Sequence, residues 1–195
     1  MQASTPSRER VLNKAEQLFY ARGYSGVSMR DIADSLAMRQ ASLYYHVPQG
    51  KEQLYVEVAM RNLRRHQDGI DKAIASSENR GVDMQLEALT DWFMKNLPLR
   101  LLSMLETDVT ALSNKNARYL TEQVHLALFA PVAGLFTEAQ IRGEIRIIDP
   151  KQLAGFFLFL MDGISYNHAS GAAHTTIDGS IRDALDIFLN GLREN

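Results

Sequence analysis

Apolar residues recur at helical spacing along almost the whole chain. In RERVLNKAEQLFYARGY, Val11, Leu12, Ala15, Leu18 and Phe19 fall three and four apart, with Pro6 and Ser7 ahead of them and Gly23 as a stop. VSMRDIADSLAM offers Ser28 as an N-cap with Asp31 three residues on, close to a capping box, and then an inward stripe of Ile32, Ala33 and Leu36. A turn over residues 37–39 leads into a short third helix, which Pro48 and Gly50 close. A long fourth helix is expected over about residues 51–75.

Beyond Ser76 the pattern stays helical, broken at SSENRG, NLP, SNKN, RGEIRIIDP and SGAAHTT, and no stretch alternates with the period of a strand. The expectation is an all-α protein of about nine helices. Three small ones form an N-terminal head over residues 1–50, and a fourth helix leads into a larger helical bundle over residues 51–195. The last two helices, about 149–169 and 177–193, are strongly apolar.

The third helix breaks the rule for a helix that only fills a core. Within SLAMRQASLYYHV, the polar and aromatic residues Gln40, Ser42, Tyr44, Tyr45 and His46 crowd around Leu43. Two short helices joined by a tight turn, the second bearing polar side chains, is the helix-turn-helix arrangement, whose second helix enters the DNA major groove. Ile32, Leu36, Met38 and Leu43 would be its core, with small Ala33 where the helices cross. Any αα-hairpin with tyrosines would share this pattern. Tyr45, about 100° round the helix from Tyr44, reads as packing, Arg39 as a solvated turn residue, and His46 as a cap or a contact.

Charge sharpens the picture. The net charge is only −2, but residues 1–66 carry ten Lys and Arg against six Asp and Glu, while the remainder carries eleven against seventeen. A protein of negative total charge that binds nucleic acid needs its basic residues concentrated in this way. Arg61, Arg64, Arg65 and His66 on the fourth helix read as a solvated basic face.

Residues 27–55, VSMRDIADSLAMRQASLYYHVPQGKEQLY, together with RGY just before them, resemble the DNA-binding signature of the tetracycline-repressor (TetR) family of transcriptional regulators. That signature has Thr or Ser opening the second helix, Ile-Ala in its middle, and a Leu-Tyr-Tyr-His-Phe-like run ending in Lys-Glu. The resemblance implies a homodimer that binds an inverted-repeat operator in double-stranded DNA. It also implies a small-molecule effector that releases the DNA. Carried over, it sets Ser28 on a phosphate at a helix N-terminus, with Arg30 within reach of a base. Gln40 and Ala41 would meet base edges, and Ser42, Tyr44, His46 and Lys51 would hold the backbone. The chemistry agrees, since Gln pairs adenine, Arg pairs guanine and an alanine methyl touches thymine. Ala37 stands where the family often has Gly, Val47 where it has Phe, and PQGKE carries one residue more than the commonest version.

The same resemblance assigns the last two helices to a four-helix dimer interface. Candidates are Phe156, Phe157, Leu160, Gly163 and Ile164 on one helix, and Ile181, Leu185, Phe188 and Leu192 on the other, though part of this stripe also suits the monomer's own core. Polar and soft residues set into apolar stretches are the effector-site candidates: Trp92, Met94, Met104, Glu106, Asp108, His125, Asp162, Asn167 and His168.

The chain has zero cysteines, and H-E-x-x-H, G-x-S-x-G, P-loop and G-x-G-x-x-G motifs are absent. Thiolate chemistry is excluded, and the reading is of a non-enzyme with no cofactor and no metal. The competing readings are a helical ligand-binding or adaptor protein without specific DNA binding, and an all-α enzyme. The longest apolar run, residues 153–161, is far short of a membrane span, and residues 1–10 lack the apolar core of a signal peptide, so no membrane association and a cytoplasmic location are expected.

Overall fold

The computed structural model describes residues 8–78, 80–96 and 104–193; Pro6, Ser7 and most of the NLP break lie outside them. Among the described residues there are nine α-helices and no strand: α1 (Arg8–Arg22), α2 (Met29–Ser35), α3 (Gln40–His46), α4 (Lys51–Ser76), α5 (Gly81–Lys95), α6 (Asn114–Val124), α7 (Ala130–Ile141), α8 (Pro150–Ala169) and α9 (Ile177–Leu192). A π-helical turn (His125–Phe129) joins α6 to α7, and a π turn (Met104–Asp108) followed by a 3₁₀ turn (Val109–Ala111) precedes α6. The chain divides into two compact units, residues 1–63 with 103–123, and residues 64–102 with 124–195. The helix-turn-helix pattern ends near residue 50, but packing carries the first unit to residue 63 and adds a later segment to it.

In the first unit, α1 buries Val11, Leu12, Ala15 and Phe19 and stops at Gly23, whose N–H reaches the Phe19 carbonyl at 2.8 Å with φ +70°. Ser28 and Asp31 complete the capping box: the Asp31 N–H donates to Ser28 Oγ, and the Ser28 N–H donates to the Asp31 carboxylate at 2.7 Å. Those hydrogen bonds, with Ser28 Oγ–H donating first among them, hold the exposed Asp31 carboxyl below its ordinary range. The far end of α2 closes as a Schellman turn, with Met38 N–H to Ala33 O and Ala37 N–H to Asp34 O, both at 3.0 Å. Leu43 of α3 is fully buried with Ile32, Leu54 and Leu120, and Val109 and Leu112 fill the same core. Glu52 ties the later segment in, accepting from Ser113 and from Asn116 Nδ2 at 2.7 Å, which lowers its pKa.

The Schellman turn requires a left-handed residue, and Ala37 supplies it at φ +53°. Ala37→Gly is therefore expected to stabilise the protein by about 1 kcal/mol, read as a rise in melting temperature. An unchanged or lower melting temperature would mean that the turn carries no strain.

In the second unit, Phe93, Phe157, Phe136 and Phe188 form a chain of ring contacts 6.0–6.3 Å apart that joins α5, α7, α8 and α9. Asp149 caps α8 ahead of Pro150, and Thr176 caps α9 by accepting from Gly179 N–H. Arg193 pairs with Asp83 at 2.7 Å, and the Glu144 carboxylate accepts from Val82 N–H.

His66, read from the sequence as part of a solvated basic face, is buried instead. Its ring stacks on Phe93 and meets Trp92 edge-on, while Arg64 and Arg65 stay exposed. Charge counting along α4 cannot tell which side of the helix faces a core. Burial, reinforced by the Arg65 charge, lowers the His66 pKa to about 4. The unfolded chain thus takes up this proton first. The stability that a neutral His66 contributes is fully present above the ordinary value near 6.5 and drains as pH falls toward 4. Melting temperature should fall on acidification from about pH 7 to about pH 5, and His66→Phe should flatten that dependence. Parallel slopes for the two proteins would refute the assignment.

Candidate nucleic-acid interface

Leu43 and Val47 are the inward positions of α3, and that alone turns most of its other side chains outward. Gln40, Ala41 and Ser42 are exposed in the first turn, Arg39 is exposed at the N-cap, and Tyr44 is 42% exposed one turn later. Arg30 projects from α2 and pairs with Asp34 at 3.7 Å, both well solvated. An open cleft of about 480 Å³ separates the start of α2 from α3. Ser25, Gly26, Val27, Ser28, Met29, Asp31, Gln40, Tyr44 and Lys51 line it. Four of the eight residues singled out from the sequence, Ser28, Gln40, Tyr44 and Lys51, thus meet in one place, with Asp31 beside them.

Lys51 is held in position. Its ammonium donates to the Tyr24 carbonyl at 3.0 Å and lies 4.0 Å above the Tyr24 ring. Two of its three protons remain for another acceptor. Ser28 is more committed, because its N–H and hydroxyl both turn to Asp31. His46 is half-buried, and its Nε2 is buried without a partner among the described residues.

Tyr45 departs from the sequence reading. It is 86% exposed, its ring meeting the edge of His46 at 5.6 Å. Seven residues make too short a helix to bury more than one stripe, and Leu43 with Val47 already fills it. Counting inward positions, rather than measuring the angle from Tyr44, would have found this residue.

The nine effector candidates do not gather in one site. Met104, Glu106 and Asp108 belong to the first unit, where Asp108 is buried with both carboxylate oxygens engaged, by Tyr24 N–H and Tyr55 O–H, and Glu106 is exposed. The other six lie in the second unit. Trp92 is half-buried against Gly69, with its Nε1 unpartnered among the described residues. Met94 lines a groove of about 520 Å³ between α5 and α9 with Thr90, Ile181 and Leu185. Asp162 is buried, His168 bonds Ser180 Oγ at 3.0 Å, and His125 and Asn167 are exposed.

The interface candidates split in two. Phe157, Ile164, Ile181, Leu185 and Leu192 are buried within the second unit. Phe156 and Gly163 are exposed, and Leu160 and Phe188 are half-buried. Phe159, Tyr166 and Ile187, not singled out in the sequence, are exposed as well.

Comparison with known proteins agrees with this geometry. Residues 11–58 match the family model described as bacterial regulatory proteins, tetR family. The HTH-type transcriptional regulator LmrA of Bacillus subtilis (strain 168) is 45% identical over 51 residues, covering 26% of this chain and 27% of LmrA. The HTH-type transcriptional regulator UidR of Escherichia coli (strain K12) is 26% identical over 140 residues, 72% of this chain and 69% of UidR. The fold superposes with a TM-score of 0.69 on AibR, solved in complex with isovaleryl coenzyme A and operator DNA; that match is 21% identical and covers 92% of this chain and 96% of that one. Residues 11–58 thus carry the segment that marks bacterial regulatory proteins of the tetR family.

Proposed function

We propose that this chain is a cytoplasmic, ligand-responsive repressor that binds an inverted-repeat operator as a homodimer and is released by a small-molecule effector. The observation that carries the reading is the outward face of α3, whose Gln40 and Tyr44 meet Ser28 and Lys51 at one cleft while Ala41 and Tyr45 stand exposed beside them. Gln40 and Ala41 lead into the major groove, and Arg30 flanks them. Ser42, Tyr44, His46 and Lys51 hold phosphates, as hydroxyls and ammonium groups suit.

One such head reads too few bases for specificity, which calls for two half-sites and a two-fold axis. The exposed apolar residues of α8 and α9 supply a surface for it: Phe156, Leu160, Gly163 and Tyr166 follow one another at helical spacing. The effector candidates kept for a ligand are those of the second unit, Trp92, Met94, Asp162, His125, Asn167 and His168. AibR, solved in complex with isovaleryl coenzyme A and operator DNA, supports a fold that takes both a small molecule and DNA.

The experiment is a titration of promoter DNA from upstream of the protein's own gene, followed by small organic compounds found to change the fluorescence of Trp92, the single tryptophan. Expected are tight, salt-dependent binding to one palindromic site and weakening by at least one compound by about 5- to 150-fold. Equal affinity for promoter and random DNA would overturn the reading.

A further inference from the structure

The first unit contains a buried carboxylate, Asp108, that stands one residue removed from the DNA-facing set. A charge taken out of water is costly unless hydrogen bonds replace the lost solvation. Asp108 Oδ1 accepts from the backbone N–H of Tyr24 at 2.8 Å, and Oδ2 accepts from the Tyr55 hydroxyl at 3.0 Å. The first contact depends on Gly23. This residue has φ +70°, and a Cβ built on it would lie 2.9 Å from Asp108 Oδ1, so a side chain there would displace the carboxylate.

Tyr24 is thus fixed from two sides, its N–H by Asp108 and its ring edge-on against Tyr55 at 5.1 Å. Its backbone carbonyl accepts from Lys51 Nζ at 3.0 Å, and the same ammonium sits 4.0 Å over the ring. Asp108 and Lys51 therefore grip the two ends of one residue. A lysine left free would lose rotamer freedom on settling against a phosphate, and this one is already placed at the cleft.

We propose that Asp108 is a positioning residue for DNA binding, which through Tyr24 holds the Lys51 ammonium where it meets a phosphate. The inference rests on the reading of Lys51 as a DNA contact. It takes Asp108 out of the effector site, where sequence position alone had set it.

The test uses the full chain with Asp108→Ala, Asp108→Asn, Tyr55→Phe, Lys51→Ala and the Asp108→Ala/Lys51→Ala double variant. Each is first checked by thermal melting, then titrated with promoter-derived and random duplex over a range of KCl. Lys51→Ala should weaken both duplexes about fivefold and reduce the salt slope by about 1. Asp108→Ala should do the same, Tyr55→Phe should do so in part, and the double variant should lose no more than Lys51→Ala alone. Asp108→Asn, which keeps an acceptor for Tyr24 N–H, should restore most of the slope. If Asp108→Ala does not fold, Tyr55→Phe carries the test.

A wild-type salt slope in folded Asp108→Ala or Tyr55→Phe overturns the positioning role while leaving Lys51 as a contact. Losses that multiply in the double variant do the same. A wild-type slope in Lys51→Ala overturns the contact itself, and the inference with it.

Discussion

Phe156→Arg is expected to leave each chain folded and to abolish the dimer. Phe156 is 54% exposed on α8, in a stripe with Gly163 and Tyr166, which is itself 76% exposed, so the fold of one chain gains little from its ring. An arginine there would set like charges against each other across a two-fold axis and leave them without partners in an apolar surface. Light scattering should report a monomer. Operator affinity should fall by about 10²- to 10⁴-fold, because the second half-site is no longer bound intramolecularly. The neighbouring Phe157→Arg behaves differently: Phe157 is fully buried between the rings of Phe93 and Phe188, so the charge enters the core and the protein is expected to be insoluble. A Phe156→Arg protein that remains dimeric with wild-type operator affinity would place the interface elsewhere.

This pair shows where sequence reasoning reached and where it stopped. Helix boundaries were legible because caps and stops are local chemistry: Ser28 with Asp31, Asp149 with Pro150, and Gly23 all act within one turn. The inward stripe of the head was legible for the same reason, since Ile32, Ala33 and Leu43 recur at helical spacing in a short, patterned segment. Phe156 and Phe157 are adjacent residues of one type, and only the packing of α5 and α9 against α8 decides that one is core and the other surface. Asp108 was illegible for a related reason. Its partners Tyr24 and Tyr55 lie 84 and 53 residues away, and no spacing rule connects a carboxylate near residue 100 to the turn after α1. His66 marks the same limit within α4, a helix that is basic along one segment yet turns this ring into a core of aromatics.

Gln40→Ala is expected to change which sequence is bound more than how tightly DNA in general is held. Gln40 opens α3 exposed at the α2–α3 cleft, and its amide can both donate to and accept from an adenine in the major groove. Loss of such a bidentate contact should cost about 1–3 kcal/mol on the operator and relax preference at one base pair per half-site, with random DNA bound as before. Tyr45→Ala is the control that separates contact from fold. With the ring 86% exposed, melting temperature should hold, whereas a packed tyrosine would lower it by the equivalent of about 3–5 kcal/mol. Operator affinity should nonetheless fall, and random DNA should weaken alongside it, since a phenol beside the groove meets the backbone as readily as a base. Selection of bound sequences from a randomised half-site, repeated with each variant, reads both effects at once. A Gln40→Ala protein that selects the wild-type sequence with undiminished preference would remove Gln40 from the base edges and leave Arg30 and Ala41 to carry the specificity of the head.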